Sequence, residues 1–364
     1  MKKYNHYYLR LILILLSCLI AEKTFAYDIA VENDEGVTIY YIYINDGTEL
    51  AVAPKSDSNS GYYGTVVIPS EVIYKNRTYK VTKISDTAFR WSGITSVTIP
   101  NTVTEIGHSA FFLCSGITSI IIPNSVTYID NFAFGACKNL TTIILPNSLT
   151  HIYYQVFKDC ESLSSIIIPD NVVSIGKSAF EGCTNLTNIN FPNSITYIGE
   201  RAFYGCSSLS DVTLPNSITT INDDAFRGCG NIVNVISKME VPCSINSSCF
   251  NVDVYYDATL YVPQGTIDKY IATDYWNKFD NIVEDNPTGI NHIEFGEMTI
   301  IPNDGIVNVS GIDDGMQIAI YQTDGKQVAT AKAYNGSANV ATNISKGNTV
   351  IVKIGDKAVK VMMK

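Results

Sequence analysis

Cysteine is the residue type in this chain with the most chemistry to offer. Nine cysteines are present, and six of them, Cys114, Cys137, Cys160, Cys183, Cys206 and Cys229, recur every 23 residues. Thiols in such number could form disulfides, hold a soft metal or act as nucleophiles, and each role makes its own geometric demand. Zinc needs ligands that converge on one point, and the chain contains no C-x-x-C pair to begin such a site. Side chains at one position of a repeat point the same way in successive copies, which suits disulfide dihedrals poorly. The six are expected to be reduced, buried and packed as small hydrophobes. Cys243 and Cys249 fall outside the period, and for them both a disulfide and two free thiols stay open.

The remaining candidates are sparse. Of four histidines, His6, His108, His151 and His292, none has a Ser or Cys partner implied by its spacing. His108 and His151 are expected on a solvated side of their repeats. Asp-Gly pairs such as Asp314-Gly315 lack the alternating acids of a calcium loop and read as turns. Glycine loops of the kind that cradle phosphate are missing. The residues therefore point to no catalytic constellation, no cofactor and no metal. A formal charge of -10 disfavours nucleic acid, whose phosphates need a basic face.

The period that orders the cysteines orders everything around them. Pro100, Pro123, Pro146, Pro169, Pro192 and Pro215 keep the same 23-residue step, as do Phe111, Phe134, Phe157, Phe180, Phe203 and Phe226. One copy, from Leu186 to Ser208, reads LTNINFPNSITYIGERAFYGCSS. Leu186, Ile189 and Phe191 would face inward on a short strand, which Pro192 ends because it cannot donate to a ladder. Ile195 and Ile198 would bury on a return side, Gly199 would permit a turn, and Ala202-Phe203 would plug the interior. One such unit cannot close a core. Stacked copies can, with equivalent positions about 4.8 Å apart.

Over residues 66–236 this pattern resembles the BspA-type leucine-rich repeat. The resemblance implies a curved solenoid of parallel strands on a secreted or surface protein, an adhesin-like role, and no catalytic residues. An open stack also needs caps. Residues 27–68 are expected to form a β cap, with a hairpin turn at Asn45-Asp46-Gly47. The solenoid then runs over 69–236. A second cap spans 237–286, helical from Gly265 to Phe279 with Ile267, Tyr270, Ile271 and Tyr275 on one face. After a linker at Asp285 to Gly289, residues 287–364 read as a small antiparallel β-sandwich with explicit Asp-Gly turns. Gln317 to Gln322, Val350 to Ile354 and the basic end at Lys364 resemble the sorting domain of type IX secretion. The segment around Ser345 to Thr349 departs from that pattern.

Residues 1–26 read as an export signal, with Lys2, Lys3 and Arg10 before an apolar run and a cleavage site at Ala26. The run is too short to span a bilayer. Cleavage would move the net charge from -10 to -13, because four basic residues and one acid leave with the segment. Lipidation of Cys18 after Leu15-Leu16-Ser17 is the alternative. The expected location is secreted or on the outer cell surface.

Two outward columns carry the functional expectation. On the strand, Thr98, Ile121, Ile144, Ile167, Asn190 and Thr213 should face solvent, so that three stacked isoleucines form an apolar stripe. Such a stripe marks an interaction site or merely reflects β-propensity. On the return side Tyr128, His151 and Tyr197 stand in register, with Tyr153 and Tyr154 beside His151, and tyrosine suits protein or sugar recognition. The expected partner is a host matrix or cell-surface protein or glycan. Homotypic contacts in a surface layer are the structural alternative, and an enzyme with an unrecognised site is the remaining one.

Overall fold

The computed structural model describes residues 27–56, 61–285, 293–295, 298–303, 305–322, 326–345, 348–355 and 357–363. The export segment with Cys18, the linker at 286–289, His6, His292, Asp304, Asp324, Gly325, Asp356 and Lys364 lie outside them. The chain divides into two compact units, residues 1–285 and 286–364.

The first unit is a mainly β solenoid with three sides. Its strand side stacks Ser119–Ile121, Thr142–Ile144, Ser165–Ile167, Asn188–Asn190 and Asp211–Leu214. Neighbours are parallel and register at the 23-residue step, Asn188 against Ser165 and Asp211 against Asn188. The return side is built from two-residue strands such as Ser174–Ile175 and Tyr197–Ile198, also parallel. As the hydrophobic spacing requires, Leu186, Ile189, Ile195 and Ile198 are buried. Phe191, larger than the residues at its position in other coils, is only partly buried.

The third, turn side has a backbone pattern of its own. Within each coil every second amide between the glycine-like position and the cysteine donates to a carbonyl of the next coil. Examples are Ser109 N–H to Asn131 O at 3.0 Å, Phe111 to Ala133 at 2.7 Å and Leu113 to Gly135 at 2.9 Å. Two residues per coil take left-handed φ to permit this, such as Ser178 (54°) and Gly182 (76°). Gly199 is not one of them, contrary to the turn role expected of it. A Cβ there would lie 2.7 Å from the backbone of Gly176 and Lys177, so the residue serves close approach between coils.

The interior is a set of ladders. Phenylalanine rings from Phe89 to Phe250 stack with centroids 5.0 to 5.8 Å apart and planes within 19°. Tyr62 meets Phe89 at one end, its hydroxyl donating to Ala53 O at 2.8 Å and accepting from Tyr40 N–H at 2.9 Å. Tyr255, Trp276 and Phe279 close on Phe250 edge-first at the other. All six periodic cysteines are free and buried, and they do more than fill space. Each thiol donates to the phenylalanine carbonyl of the preceding coil, Cys137 to Phe111 O at 3.1 Å and Cys160 to Phe134 O at 3.2 Å. Cys243 and Cys249 are likewise unpaired.

The ladders of both sides are interrupted along the stack. The strand-side ladder stops between Gly93–Thr98 and Ser119–Ile121 and again between Thr142–Ile144 and Ser165–Ile167, and the return-side ladder stops between Tyr128–Ile129 and His151–Ile152. Here Tyr153 holds the position of Gly107 and Gly176, and Val156 that of Ala133 and Ala179. These larger side chains prop the coil away from its predecessor. The Phe134–Phe157 spacing is accordingly the widest, at 5.8 Å, and a small packing defect lies among Ile129, Leu149, Ile152 and Val156. Turn-side hydrogen bonds still cross, as from Phe134 N–H to Val156 O at 3.0 Å.

The N-terminal cap is antiparallel, Ile29–Glu32 on Thr38–Ile44 on Glu49–Ala53, with the hairpin at Asn45 to Gly47 in left-handed φ. Tyr63–Val67 already pairs in parallel with Gly93–Thr98. In the C-terminal cap the expected helix is two short pieces, Ile267–Ile271 and a 3-10 turn at Trp276–Lys278, broken at Tyr275 with φ 67°. Tyr270 is buried but Ile271 turns outward, so the four residues do not share one face. A further helix, Val252–Asp257, was not foreseen.

The second unit is antiparallel throughout its described strands. One sheet holds Ile293–Phe295, Met298–Asn303, Ile306–Ser310 and Ser337–Ala341. The other holds Gln327–Lys332, Gln317–Gln322, Thr349–Ile354 and Lys357–Met362. Both contribute to one core that includes Ile300, Val309, Ile320 and Val352.

Candidate functional site

The strand side presents the predicted stripe. Ile121, Ile144 and Ile167 are 66%, 54% and 48% exposed, while Ile120, Ile143 and Ile166 between them are buried. Alternation in a pleated strand makes this unavoidable once the inner register is set. From Thr95 to Asn190 every outward strand position is Thr, Ser, Asn or Ile, and the first charge in these columns is Asp211. The threonines nearest the coil corner turn their hydroxyls inward, Thr141 donating to Thr118 O at 2.9 Å and Thr187 to Ser164 O at 3.3 Å. Ser119 and Ser165 stay exposed beside the isoleucines.

The aromatic candidates separate into different groups. Tyr128, Tyr153 and His151 form one cluster on the return side, with Tyr153 5.0 Å from Tyr128 and 5.6 Å from His151. The Tyr128 hydroxyl donates to Asp130 Oδ1 at 3.1 Å. Partial burial first, then this carboxylate, pushes its pKa up to about 12. His151 is half-buried, with Nδ1 2.8 Å from Thr150 Oγ1. Tyr197 is 40% exposed and stands two coils further on, beyond Ser174. Tyr154 leaves this group altogether. It turns to the turn side and meets Phe132 edge-on at 5.1 Å.

There it joins residues that sequence reasoning passed over. Arg90 lies over Trp91 at 4.3 Å and over Phe112 at 5.5 Å. Phe112 meets Phe132 at 6.1 Å, and His108 meets Phe132 at 5.5 Å. His108, like His151, is therefore not the freely solvated side chain expected. The signal available in the sequence was that Phe112 and Phe132 are extra aromatics, out of phase with the phenylalanine period, and that Trp91 precedes Ser92 where other coils have cysteine.

Elsewhere on the stack several charges pair between coils. Lys83 meets Glu105 at 2.6 Å, Lys138 meets Glu161 at 2.7 Å, and Lys177 meets Glu200 at 2.9 Å. These exposed pairs contribute little each. Among the described residues no group of three His, Cys, Asp or Glu could hold a metal ion. No helix among them is long and apolar enough to cross a membrane. A broad, uncharged, repeat-built surface is what this arrangement offers for recognition.

Comparison with known proteins agrees with the fold. A leucine-rich cell surface protein from Faecalibacterium prausnitzii is 25% identical, with a TM-score of 0.54, over 65% of this chain and 71% of its own. A T. pallidum leucine-rich repeat protein is 23% identical over 61% of this chain and 83% of its own, with a TM-score of 0.40. A leucine-rich repeat protein from Bacteroides ovatus is 23% identical over 66% and 79%, with a TM-score of 0.34. Among curated proteins none matches. The model of the BspA type leucine-rich repeat region matches six copies, over residues 82–183 and 150–264, which together span half of the chain. The chain belongs to the BspA-type leucine-rich repeat family.

Proposed function

We propose that this is an extracellular recognition protein that binds a protein on a host cell or matrix through its strand side. The observation that carries the reading is the exposed Ile121, Ile144 and Ile167 stripe set in an uncharged face. A chain with a net charge of -10 gains solubility from charged surface. Leaving this side without charge from Thr95 to Asn190 forgoes that gain, and contiguous apolar surface of this kind marks contact sites. Affinity would come from many modest contacts over several coils.

Residues 1–26 act as the export signal in this reading, and the C-terminal unit acts as a delivery device with no part in recognition. The resemblance of that unit to a sorting domain supports this. Removing residues 288–364 should leave the protein in the periplasm of the native organism. Display that survives the deletion would point to a lipid anchor at Cys18 instead. Recognition is tested by measuring the full chain and Ile144→Lys against a panel of immobilised host matrix proteins. Loss of binding at unchanged thermal stability supports the strand side, and undiminished binding sinks it. The second reading, homotypic contact through the same stripe, predicts concentration-dependent association in sedimentation that Ile144→Lys abolishes.

A further inference from the structure

The aromatic file on the turn side is separate from the strand side and calls for its own account. Packing does not demand it. The positions that carry Arg90, Phe112, Phe132 and Tyr154 in the early coils carry Lys158, Glu181, Lys177, Arg201 and Asp224 in later ones, with a single ring at Tyr204, 4.1 Å from Arg201. Lys158 meets Glu181 at 2.6 Å, and Lys177 meets Glu200 at 2.9 Å. The same backbone thus accepts ion pairs, yet four successive coils place rings there instead. Gly135 makes room for the file, since a Cβ on it would lie 2.9 Å from the Phe112 ring. Trp91 is 56% and Tyr154 37% exposed, while Phe112, Phe132 and His108 are half-buried.

We infer that this file is a platform for a neutral glycan chain, whose pyranose rings lay their C–H faces on Trp91, Phe112, Phe132 and Tyr154. Three observations select this occupant. The file is one side chain wide, and its four rings expose less than about 400 Å² at full-burial areas of 150–250 Å² each. A stable globular partner needs about 800 Å². A peptide added as a further strand would be held by free backbone groups, but the amides here are all engaged. Trp91 N–H goes to Phe112 O at 2.9 Å, Phe132 N–H to Tyr154 O at 3.1 Å, and Tyr154 N–H to Asn131 Oδ1 at 3.0 Å. What remains is ring surface, whose negative faces attract the weakly positive C–H bonds of a sugar. Charge also favours a neutral chain. Arg90 lies over the first two rings, Lys177 beyond Tyr154 is paired with Glu200 at 2.9 Å, and Asp86 Oδ1 accepts from His108 N–H at 3.0 Å. His108 and the Tyr154 hydroxyl can serve the sugar hydroxyls at the rim.

The test is affinity electrophoresis of the full chain in gels containing a soluble β-glucan, galactomannan or xylan, with heparin and polygalacturonate as acidic counterparts. Retardation by one or more neutral polymers is expected. Trp91→Ala and Tyr154→Ala should each weaken it roughly tenfold, the loss of one stacked ring, with melting temperature unchanged. Trp91→Phe should retain most of it. Bound polymer should also shield Trp91 from iodide quenching, while Trp276 is buried in either state. Ile144→Lys should leave retardation untouched, so this inference and the strand-side reading fail separately. No retardation by the three neutral polymers, retardation by the acidic ones alone, or retardation indifferent to Trp91→Ala and Tyr154→Ala would each overturn it. So would a protein ligand whose capture depends on Trp91.

Discussion

Raising the pH should unfold the solenoid through its thiols. Burial raises the pKa of Cys137, Cys160, Cys183, Cys206 and Cys249, which lie 0% exposed. It pushes Cys114 up to about 11. An unfolded thiol ionises near pH 8.5. A group whose folded pKa is raised contributes stability that is whole below the unfolded value and is lost as pH climbs toward the folded one. At pH 10 a thiol whose folded pKa is about 11, as for Cys114, gives the unfolded chain an advantage of roughly 2 kcal/mol, from 1.5 pH units at 1.36 kcal/mol each. Several such thiols together reach the scale of the whole stability of a domain, about 5–15 kcal/mol. Denaturant midpoints followed by circular dichroism in reductant should be flat from pH 6 to 8 and fall steeply between 8.5 and 10. Cys160→Ala should be less stable at pH 7 by about 1–2 kcal/mol, from the lost packing and the thiol bond to Phe134 O. Its deficit should shrink as pH rises, because one ionising group has gone. Stability independent of pH up to 10, or native thiols that react rapidly with a thiol reagent at pH 8, would refute the reasoning.

Other outcomes follow from the same packing. Phe180→Ala removes a buried ring stacked at 5.2 Å on both sides and should cost about 3–5 kcal/mol in urea titration. Ile144→Lys should shift the midpoint by less than about 0.5 kcal/mol, and a collapse would mean the strand register is one residue off. Amide hydrogen exchange should be faster at Tyr153, at the return-side break, than at Gly176 or Gly199, whose amides reach Ile152 O and Ile175 O, and equal protection would contradict the interrupted ladder. Ending the chain at Asn185 should give an aggregating product, whereas a soluble, cooperatively folding one would count against mutual coil support.

The array was legible because its chemistry repeats. A 23-residue period fixes which positions share a side, so the buried columns at Leu186, Ile189, Ile195 and Ile198 and the exposed stripe at Ile144 came out of one assignment. What escaped was whatever depends on a single coil or on backbone direction. Tyr153 and Tyr154 are adjacent in sequence yet belong to different sides, because the chain bends between them. The left-handed residues could not be read from glycine alone, since Ser109, Phe132 and Arg201 adopt φ of 54–57° while Gly199 does not. Interactions between coils impose that conformation. The thiol donation to Phe carbonyls was hidden for the same reason, as it needs the carbonyl direction on the turn side.

That direction has an electrical consequence. Amides in parallel strands point alternately to both neighbours, so their dipoles nearly cancel. Between the glycine-like position and the cysteine, every inter-coil backbone-to-backbone bond of the turn side instead points toward the C-terminal end of the stack, from Thr87 N–H to Phe226 N–H. On this side the peptide dipoles add, and its C-terminal end becomes the side's positive pole, with donors left over as at the N-terminus of a helix. The C-terminal cap meets them as a helix N-cap would. Ser248 Oγ accepts from Asp224 N–H at 3.1 Å, Cys249 O from Phe226 N–H at 2.8 Å, and Asn251 Oδ1 from Gly228 N–H at 2.6 Å. Asp223 and Asp224 sit at the same pole. Because each interior coil passes on the donors it receives, adding or removing a whole 23-residue unit leaves both poles unchanged. The array can therefore change length in 23-residue steps, whereas its C-terminal cap, matched to one polarity, cannot serve at the other end.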